Sequence, residues 1–453
     1  MRKLRVLIPG AIAGLTLAAL VASSAAAATP SFTNTPLLRP AGGSEPAISI
    51  AGNGTMAITA LQWLFDPTSV GTYLWTGPFG ATPTFQGLLD ANLQQPAKNP
   101  FGGEDADVDI ASTGTLHATT LVALVNPPFK AATLGVSAIS CPGATSATFA
   151  LGGCTEQVID TAGADRPFIT SDGPHVWIAY HDAGNSSQIH IQRSDDDGLT
   201  WRRVADPIVG QGQATGQATF NNDIGPIVAD PSTHNLYLGY IAGEPGLQKA
   251  KNFFHNNVRV ARSTDGGLSW TSSLVYHAPV NDRLNNFFAT VTVDPTNGNV
   301  YTSWTDTHST WVAKSTDQAT TWSTQVVNAA PANTTVEPSV AARGGTVDVV
   351  YYGTDASSNV DPSAVWNVYL AQSTDGGTSY AQSVVSLTPN HVGVLCVNGT
   401  ACVNPEQTRT LLDLFETAID PANGKTAVVY TDDTLTKTTS GLPLPQIVLA
   451  QQQ

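Results

Sequence analysis

One eight-residue pattern recurs four times in this chain and constrains its fold more than any other feature. Its clearest copy spans residues 263–270, where Ser263, Asp265 and Gly267 precede Trp270. The Ser and Asp side chains can bond to nearby backbone groups, and Gly267 can adopt a positive φ that other residues resist. The pattern therefore predicts a tight turn between two β-strands, with the indole of Trp270 buried against a neighbouring unit.

The other three copies keep this spacing, although Ala319 takes the glycine position in one and a tyrosine replaces the tryptophan in another. The pattern resembles the Asp-box, or BNR repeat, of a family of β-propellers whose best-known members are the sialidases. The resemblance implies that the boxes are structural turns on the rim of a propeller, remote from its catalytic face. The box residues are Ser194, Asp196, Gly198 and Trp201; Ser263, Asp265, Gly267 and Trp270; Ser315, Asp317 and Trp322; and Ser373, Asp375, Gly377 and Tyr380.

A second, longer unit recurs seven times: an alternating strand, a turn, and a second strand rich in aromatic residues and valine. Seven such units predict an all-β, single-domain β-propeller of seven blades with four antiparallel strands each. A six-bladed ring, as in the sialidases, is the alternative. The last unit lacks a fourth strand, and we expect the segment 31–38 to supply it and close the ring. The units begin at Ser44, Glu104, Asp165, Asn222, Asn286, Val336 and Asp413.

The N-terminus has the features of a secretory signal peptide. Arg2, Lys3 and Arg5 precede an apolar run over residues 6–21, and small residues follow it. A basic start, an apolar centre and a small-residue exit are typical of a cleaved signal. We therefore expect residues 1–28 to be removed and residues 29–453 to form a secreted propeller, extracellular or at the cell surface, with no membrane span.

The charge of the chain limits its partners. The formal net charge is −15, and removal of the three basic residues of the signal leaves −15 − 3 = −18. A chain this acidic repels nucleic acids and anionic membranes. We expect a monomer whose partner is an extracellular glycan or protein.

Four cysteines in an exported chain predict disulfide bonds. Cys141 and Cys154 bracket one loop, and Cys396 and Cys402 bracket another. Pairing in sequence order is the simplest arrangement, and each bond would then brace its own loop.

Polar residues stand where the first strand of each unit begins. In a propeller this strand lines the central channel and starts at the functional face. A ring of carboxylates there could bind calcium, which takes six to eight oxygen ligands. It could equally hydrogen-bond sugar hydroxyls, or cap the strands and line a water-filled channel. The candidate metal ligands are Glu45, Asp105, Asp107, Asp165, Asp223, Glu337 and Asp413.

The resemblance to sialidases implies an arginine triad, a tyrosine nucleophile paired with a glutamate, and an aspartate acid/base. Residues 44–46 read Ser-Glu-Pro where the family has Arg-Ile-Pro, and the strand after Glu337 ends in Tyr-Tyr-Gly at 351–353 without an arginine. Two of the three arginines are therefore missing from their expected places. The remaining catalytic candidates are Asp66, Arg166, Arg283, Arg409, Glu337 and Tyr351.

Two functions remain open. The first is a secreted, sialidase-like Asp-box propeller that recognises an extracellular glycan or protein through the channel face. The alternative is an exo-acting glycoside hydrolase of sialidase-like architecture with a non-standard active site. The sequence contains no HExxH or GxSxG motif, so a zinc peptidase or an α/β-hydrolase is not supported.

Overall fold

The computed structural model describes residues 29–63, 71–91, 101–125, 132–146, 148–161, 163–182, 188–208, 222–243, 255–279, 284 and 288–453. These residues form seven antiparallel sheets, each with a path of four strands. The innermost strands of successive sheets contact one another around a closed ring, from the first sheet to the seventh and back. The prediction of a seven-bladed propeller is confirmed, and the six-bladed alternative is wrong.

The strands follow the chain from the channel outward in each blade. β1 (Phe32–Pro36) precedes the first blade. Blade 1 contains β2 (Ser44–Ile50), β3 (Thr55–Leu61), β4 (Thr72–Pro78) and β5 (Thr84–Leu88). Blade 2 contains β6 (Phe101–Ile110), β7 (Leu116–Val125), β8 (Ala132–Cys141) and β9 (Thr155–Asp160). Blade 3 contains β10 (Ala164–Asp172), β11 (His175–Asp182), β12 (Gln188–Ser194) and β13 (Arg202–Arg203).

The remaining blades have the same order. Blade 4 contains β14 (Asn222–Ala229), β15 (Leu236–Ala242), β16 (Asn257–Ser263) and β17 (Thr271–His277). Blade 5 contains β18 (Thr290–Val293), β19 (Val300–Thr305), β20 (Thr310–Ser315) and β21 (Ser323–Val326). Blade 6 contains β22 (Thr334–Arg343), β23 (Thr346–Thr354), β24 (Val365–Ser373) and β25 (Ala381–Val384), with β26 (His391–Val392) paired to β24. A short helix, α1 (Pro405–Thr408), precedes β27 (Glu416–Ile419), β28 (Thr426–Lys437) and β29 (Pro443–Gln452) of blade 7.

The N-terminal strand completes the last blade, as predicted. β1 pairs antiparallel with β29, from Phe32 opposite Gln452 to Pro36 opposite Val448. The Tyr430 hydroxyl also donates to Asn34 Oδ1 at 2.6 Å. These contacts join both ends of the described chain in one sheet, which leaves β29 without a free edge.

The four eight-residue repeats lie between the third and fourth strands of blades 3 to 6, at the end of the ring opposite the start of the innermost strands. In the blade 4 copy, Ser263 Oγ donates to Asp265 Oδ1 at 2.8 Å and accepts the Gly267 N–H at 2.8 Å. Asp265 accepts the N–H and the hydroxyl of Ser269. The Trp270 indole donates to Ala205 O in blade 3 at 3.0 Å, so the turn also packs two blades together.

Side chains of the innermost strands bind backbone N–H groups of the next blade. The strand-to-strand pairs around the ring therefore do not rely on apolar packing alone. The acceptor and donor pairs are Glu416 Oε2 with Ile48 N (2.8 Å), Ser49 Oγ with Ile110 N (3.0 Å), Asp107 Oδ2 with Ile169 N (2.8 Å), and Thr170 Oγ1 with Ala229 N (3.0 Å).

Both predicted disulfides are present. Cys141 pairs with Cys154, and Cys396 pairs with Cys402, with sequence separations of 13 and 6. The first joins the end of β8 to the segment before β9, and the second closes the loop before α1. Within the described ranges, no helix has the length and apolar character needed to cross a membrane.

Candidate functional site

The innermost strands of four blades share an irregularity close to where they begin. The strand register shifts on either side of a dipeptide that ends in proline: Glu45-Pro46, Arg166-Pro167, Gly225-Pro226 and Glu337-Pro338. A β-bulge of this kind turns the side chain of its extra residue away from the regular alternation. We call this end of the channel, where the innermost strands begin, the mouth.

Three of the bulge residues have a strained backbone. Glu45, Arg166 and Glu337 have φ values of 49°, 51° and 53°. The left-handed region is uncommon for residues other than glycine, and the following proline restricts the preceding residue further. Strain of this kind persists only where the surrounding structure enforces it, and it clusters at functional sites. The strained backbone at these three residues therefore indicates a functional site at the mouth.

Arg166 of blade 3 lies across the mouth and contacts three other blades. Its Nη1 donates to Asp223 Oδ1 in blade 4 at 3.3 Å, and its Nη2 donates to Asp413 Oδ2, ahead of β27, at 3.0 Å. Its guanidinium carbon lies 4.3 Å from the ring centroid of Phe288, which precedes β18 in blade 5. The Arg166 side chain is 14% exposed. Two ion pairs thus hold the Arg166 guanidinium at its nitrogens, and a cation–π contact covers one of its faces.

Glu45 and Asp105 form a carboxyl pair at the mouth. The two side chains lie close enough for the charge of Asp105 to act on Glu45. Glu45 Oε1 also accepts the Asp413 N–H at 2.9 Å, and Asp105 Oδ2 accepts the Arg166 N–H at 3.2 Å. Burial raises the pKa of Glu45 well above its ordinary value, and the charges of Asp105 and Asp413 add to this. Burial, with the charge of Asp165, raises the pKa of Asp105 to about 7. The pair therefore retains a proton near neutral pH.

Asp413 is the acceptor shared by both arginines of the mouth. Arg409 donates from Nε to Asp413 Oδ1 at 3.3 Å and from Nη2 to Asp413 Oδ2. Glu337 lies close enough to both groups for their charges to act on it, and it is 4% exposed. Among the described residues, no group hydrogen-bonds to Glu337 Oε2. Burial and the charge of Asp413 raise the pKa of Glu337 well above its ordinary value.

The sialidase-like hypothesis requires Glu337 to lie beside Tyr351. The structure does not bring these two side chains together. Neighbouring residues of a strand point to opposite faces, and the Tyr351 hydroxyl donates to Gln382 Oε1 at 2.5 Å in the core between blades 5 and 6. Tyr352 instead points towards Glu337, whose charge acts with burial to raise the Tyr352 pKa. Tyr352 packs on Phe415 and accepts the Thr431 N–H at 3.1 Å.

The other candidates are distributed as follows. Asp165 is partly exposed and lies close enough to Arg166 for its charge to act on the guanidinium. Asp107 lies deeper in the channel, where its two oxygens accept the N–H groups of Val108 and Ile169 at 2.7 and 2.8 Å. Asp66 and Arg283 lie outside the described residues.

Several of the carboxylates named as candidate calcium ligands are engaged in other contacts at the mouth. No three His, Cys, Asp or Glu side chains in the described ranges are arranged to hold a metal ion. Asp413 is neutralised by two arginines, and Asp107 is occupied by backbone donors. Arg166 and Arg409 pair with carboxylates of this group.

The opposite end of the channel opens into a cavity of about 440 Å³. Its lining is largely small and aliphatic, as at Ala51, Ala111 and Val293. Asp109, which also lines it, accepts the N–H of Ser171 at 2.7 Å. The charged candidate residues named above lie towards the mouth rather than around this cavity.

Sequence reasoning identified most residues of the mouth but missed the feature they share. A charged residue followed directly by proline at the start of an innermost strand marks Glu45, Arg166 and Glu337 alike. Tyr352 was missed as well, since only the strand register distinguishes it from Tyr351.

Solved structures with a similar fold are known, whereas no protein-family model and no curated protein matches the sequence. The polysaccharide lyase Uly1 has a TM-score of 0.51 and 12% identity, covering 95% of this chain and 94% of that chain. The GH93 α-L-arabinofuranosidase of Fusarium graminearum has a TM-score of 0.48 and 14% identity over 79% and 98%. The Hadza microbial sialidase Hz136 has a TM-score of 0.46 and 11% identity over 85% and 74%. At these identities the similarity concerns the propeller fold.

Proposed function

We propose that this protein is a secreted, carbohydrate-active propeller that recognises an extracellular glycan at the mouth of its channel. The single observation that carries the proposal is the convergence of strained, polar side chains from several blades on one end of the channel. A glycan presents hydroxyl groups that both donate and accept hydrogen bonds. The mouth offers carboxylate acceptors, guanidinium donors and a carboxyl proton, a few positioned polar groups of the kind that orient a ligand.

Secretion is supported by the signal-like N-terminus and by the two disulfides, which persist in oxidising compartments. The partly exposed groups that a ligand could reach first are Asp105, Asp165, Arg166 and Asp223. Below them, the buried Glu337 has an oxygen that accepts no hydrogen bond from the described part of the chain.

A specific observation favours a second candidate, cleavage of a glycosidic bond. The Glu45–Asp105 pair keeps a proton near neutral pH, and a protonated carboxyl is the general acid that glycoside cleavage needs. Asp105 is the partly exposed member of the pair and burial raises its pKa to about 7, so we propose its carboxyl as the acid. A solved structure with a similar fold, at 12% identity, is named as a polysaccharide lyase, so a fold of this kind can carry a carbohydrate-active site.

Binding is tested with residues 29–453 on a glycan array. We expect a defined set of glycans to bind the native protein. The Asp165→Asn and Arg166→Lys variants should no longer bind them. The matched control is Asp195→Asn, which removes a carboxylate from an exposed ion-pair cluster on the opposite rim. No glycan binding, or equal loss in the control, would overturn the proposal.

Cleavage is tested with a panel of fluorogenic glycosides and polysaccharides. Turnover that disappears in Asp105→Asn, while the circular dichroism spectrum and glycan binding persist, would support the second candidate. Glycan binding without turnover on any substrate would leave recognition as the function.

A further inference from the structure

The two guanidinium groups described at the mouth already form ion pairs with carboxylates of the protein. Arg166 donates from Nη1 to Asp223 and from Nη2 to Asp413, and Phe288 lies against its guanidinium. Arg409 donates from Nε and Nη2 to Asp413. An acidic sugar is best held by an arginine edge that can form two parallel hydrogen bonds with its carboxylate. At this mouth such a ligand would compete with Asp223 and Asp413 for these groups.

The carboxyl groups of the mouth outnumber these cations. Among the described residues, six carboxyls stand against two guanidinium groups. Burial raises the pKa values of Glu45, Asp105 and Glu337, which lowers the negative charge of the mouth. The other three carboxyls still outnumber the two cations. A cleft lined mainly by one sign of charge repels ligands of that sign. The carboxyls of the mouth are Glu45, Asp105, Asp165, Asp223, Glu337 and Asp413.

An independent observation shows that the mouth has hydrogen-bonding capacity that the described protein does not use. Glu337 is 4% exposed, and its Oε2 has no hydrogen-bond partner among the described residues. A buried polar atom without a partner costs free energy, and a ligand hydroxyl can relieve that cost. A neutral hydroxyl does so without bringing a further negative charge beside Asp413.

We infer that the mouth takes an uncharged glycan rather than one bearing sialic acid, uronic acid or sulfate. The inference rests on the proposed function, because it names the substrate class of the same site. It also departs from the expectation that a sialidase-like propeller binds an acidic sugar.

The test compares neutral oligosaccharides with their uronate, sialylated and sulfated counterparts, using calorimetry on residues 29–453. We expect the neutral ligand to bind at least about tenfold more tightly, since like charges that face each other disfavour binding. Its affinity is expected to change by less than about twofold between about 50 and 500 mM NaCl, because screening acts on charged ligands.

A variant tests the cause directly. Asp223→Asn removes the charge paired with Arg166 Nη1, so the ratio of neutral to acidic affinity is expected to fall by at least about threefold. Asp195→Asn on the opposite rim is the matched control, and it should leave the ratio unchanged. An unchanged ratio in a folded Asp223→Asn protein would contradict the inference.

The outcomes separate the two proposals. Preferential binding of acidic glycans by the native protein, weakening as salt is raised, would overturn the inference while leaving glycan recognition intact. Binding of no glycan of either class would overturn both. The salt series on the native protein decides the matter even if Asp223→Asn does not fold.

Discussion

Arg166 in blade 3 and Asp413 in blade 7 are joined across the channel mouth by an ion pair of 3.0 Å between Nη2 and Oδ2. The two residues are 247 positions apart in the chain. Neither side chain is more than 14% exposed. The pair therefore depends on closure of the ring, and it links blades that are not neighbours.

Removal of this cation should destabilise the protein. In Arg166→Met, Asp223 loses its arginine and Asp413 keeps only Arg409. We expect the free energy of unfolding in urea to fall by about 2–4 kcal/mol, because breaking a buried ion pair leaves a carboxylate poorly compensated. Arg202→Met is the matched control: Arg202 is 52% exposed and pairs with Asp195. Its effect should be below about 1 kcal/mol, and equal losses in the two variants would contradict the bracing role of Arg166.

The raised carboxyl pKa values predict that stability falls as the pH rises towards neutrality. Burial, with the charge of Asp165, raises the pKa of Asp105 from 3.8 to about 7, so the folded protein keeps a proton that the unfolded chain has lost. The folded state binds more protons between about pH 4 and 7, and stability must decrease with pH in that window. We expect the Tm of the native protein to fall from pH 5 to pH 8, and Asp105→Asn to flatten this slope.

The aspartates of the eight-residue repeats change the stability of the protein in the opposite direction at lower pH. Hydrogen bonds from Thr200 hold the pKa of Asp196 below its ordinary value. Stabilisation by such a group is present above its unfolded pKa and is lost as the pH falls through its folded pKa. Maximum stability is therefore expected near pH 4 to 5, and a Tm that rises steadily from pH 5 to pH 8 would contradict the assignment of protons at the mouth.

The boxes offer an internally matched pair of substitutions. Gly267 has φ 89°, and a Cβ there would lie 3.1 Å from Val204 Cγ2. Gly267→Ala should cost about 1–2 kcal/mol of unfolding free energy, because L-residues are strained in this conformation. At the equivalent position Ala319 already has φ 61°. Ala319→Gly relieves that strain while losing a buried methyl group, so its effect should lie within about 1 kcal/mol of zero. Similar losses in both variants would show that backbone conformation does not limit these turns.

Deletion of the N-terminal strand should open the ring. Without residues 29–38, β29 loses its partner β1 and presents an unpaired edge. Exposed edges promote association between chains, so we expect a lower Tm and oligomers in size-exclusion chromatography. Tyr430→Phe removes the hydrogen bond to Asn34 but leaves the strand in place. It should cost about 1 kcal/mol and remain of native size; a truncated protein that elutes and melts like the native one would contradict closure by β1.

The sequence by itself determined the features whose causes are local. Each box turn forms from hydrogen bonds between residues two to four positions apart, as from Ser263 to Gly267. The disulfides join cysteines that are 13 and 6 positions apart, so pairing in sequence order could be predicted. Seven repeated units and a last unit short of one strand were enough to predict seven blades and closure by the N-terminal segment.

Only the tertiary structure decided which side chains of the mouth contact one another. Glu45 and Asp105 belong to different blades, and the charge of one acts on the other because register shifts at both strand starts bring them together. Tyr352 rather than Tyr351 lies towards Glu337 because the register of β23 sends adjacent side chains to opposite faces. Both arginines are neutralised by Asp413 because the ring brings blade 3 to blade 7. Such contacts depend on the relative placement of distant strands, and a pattern within one strand carries no information about that placement.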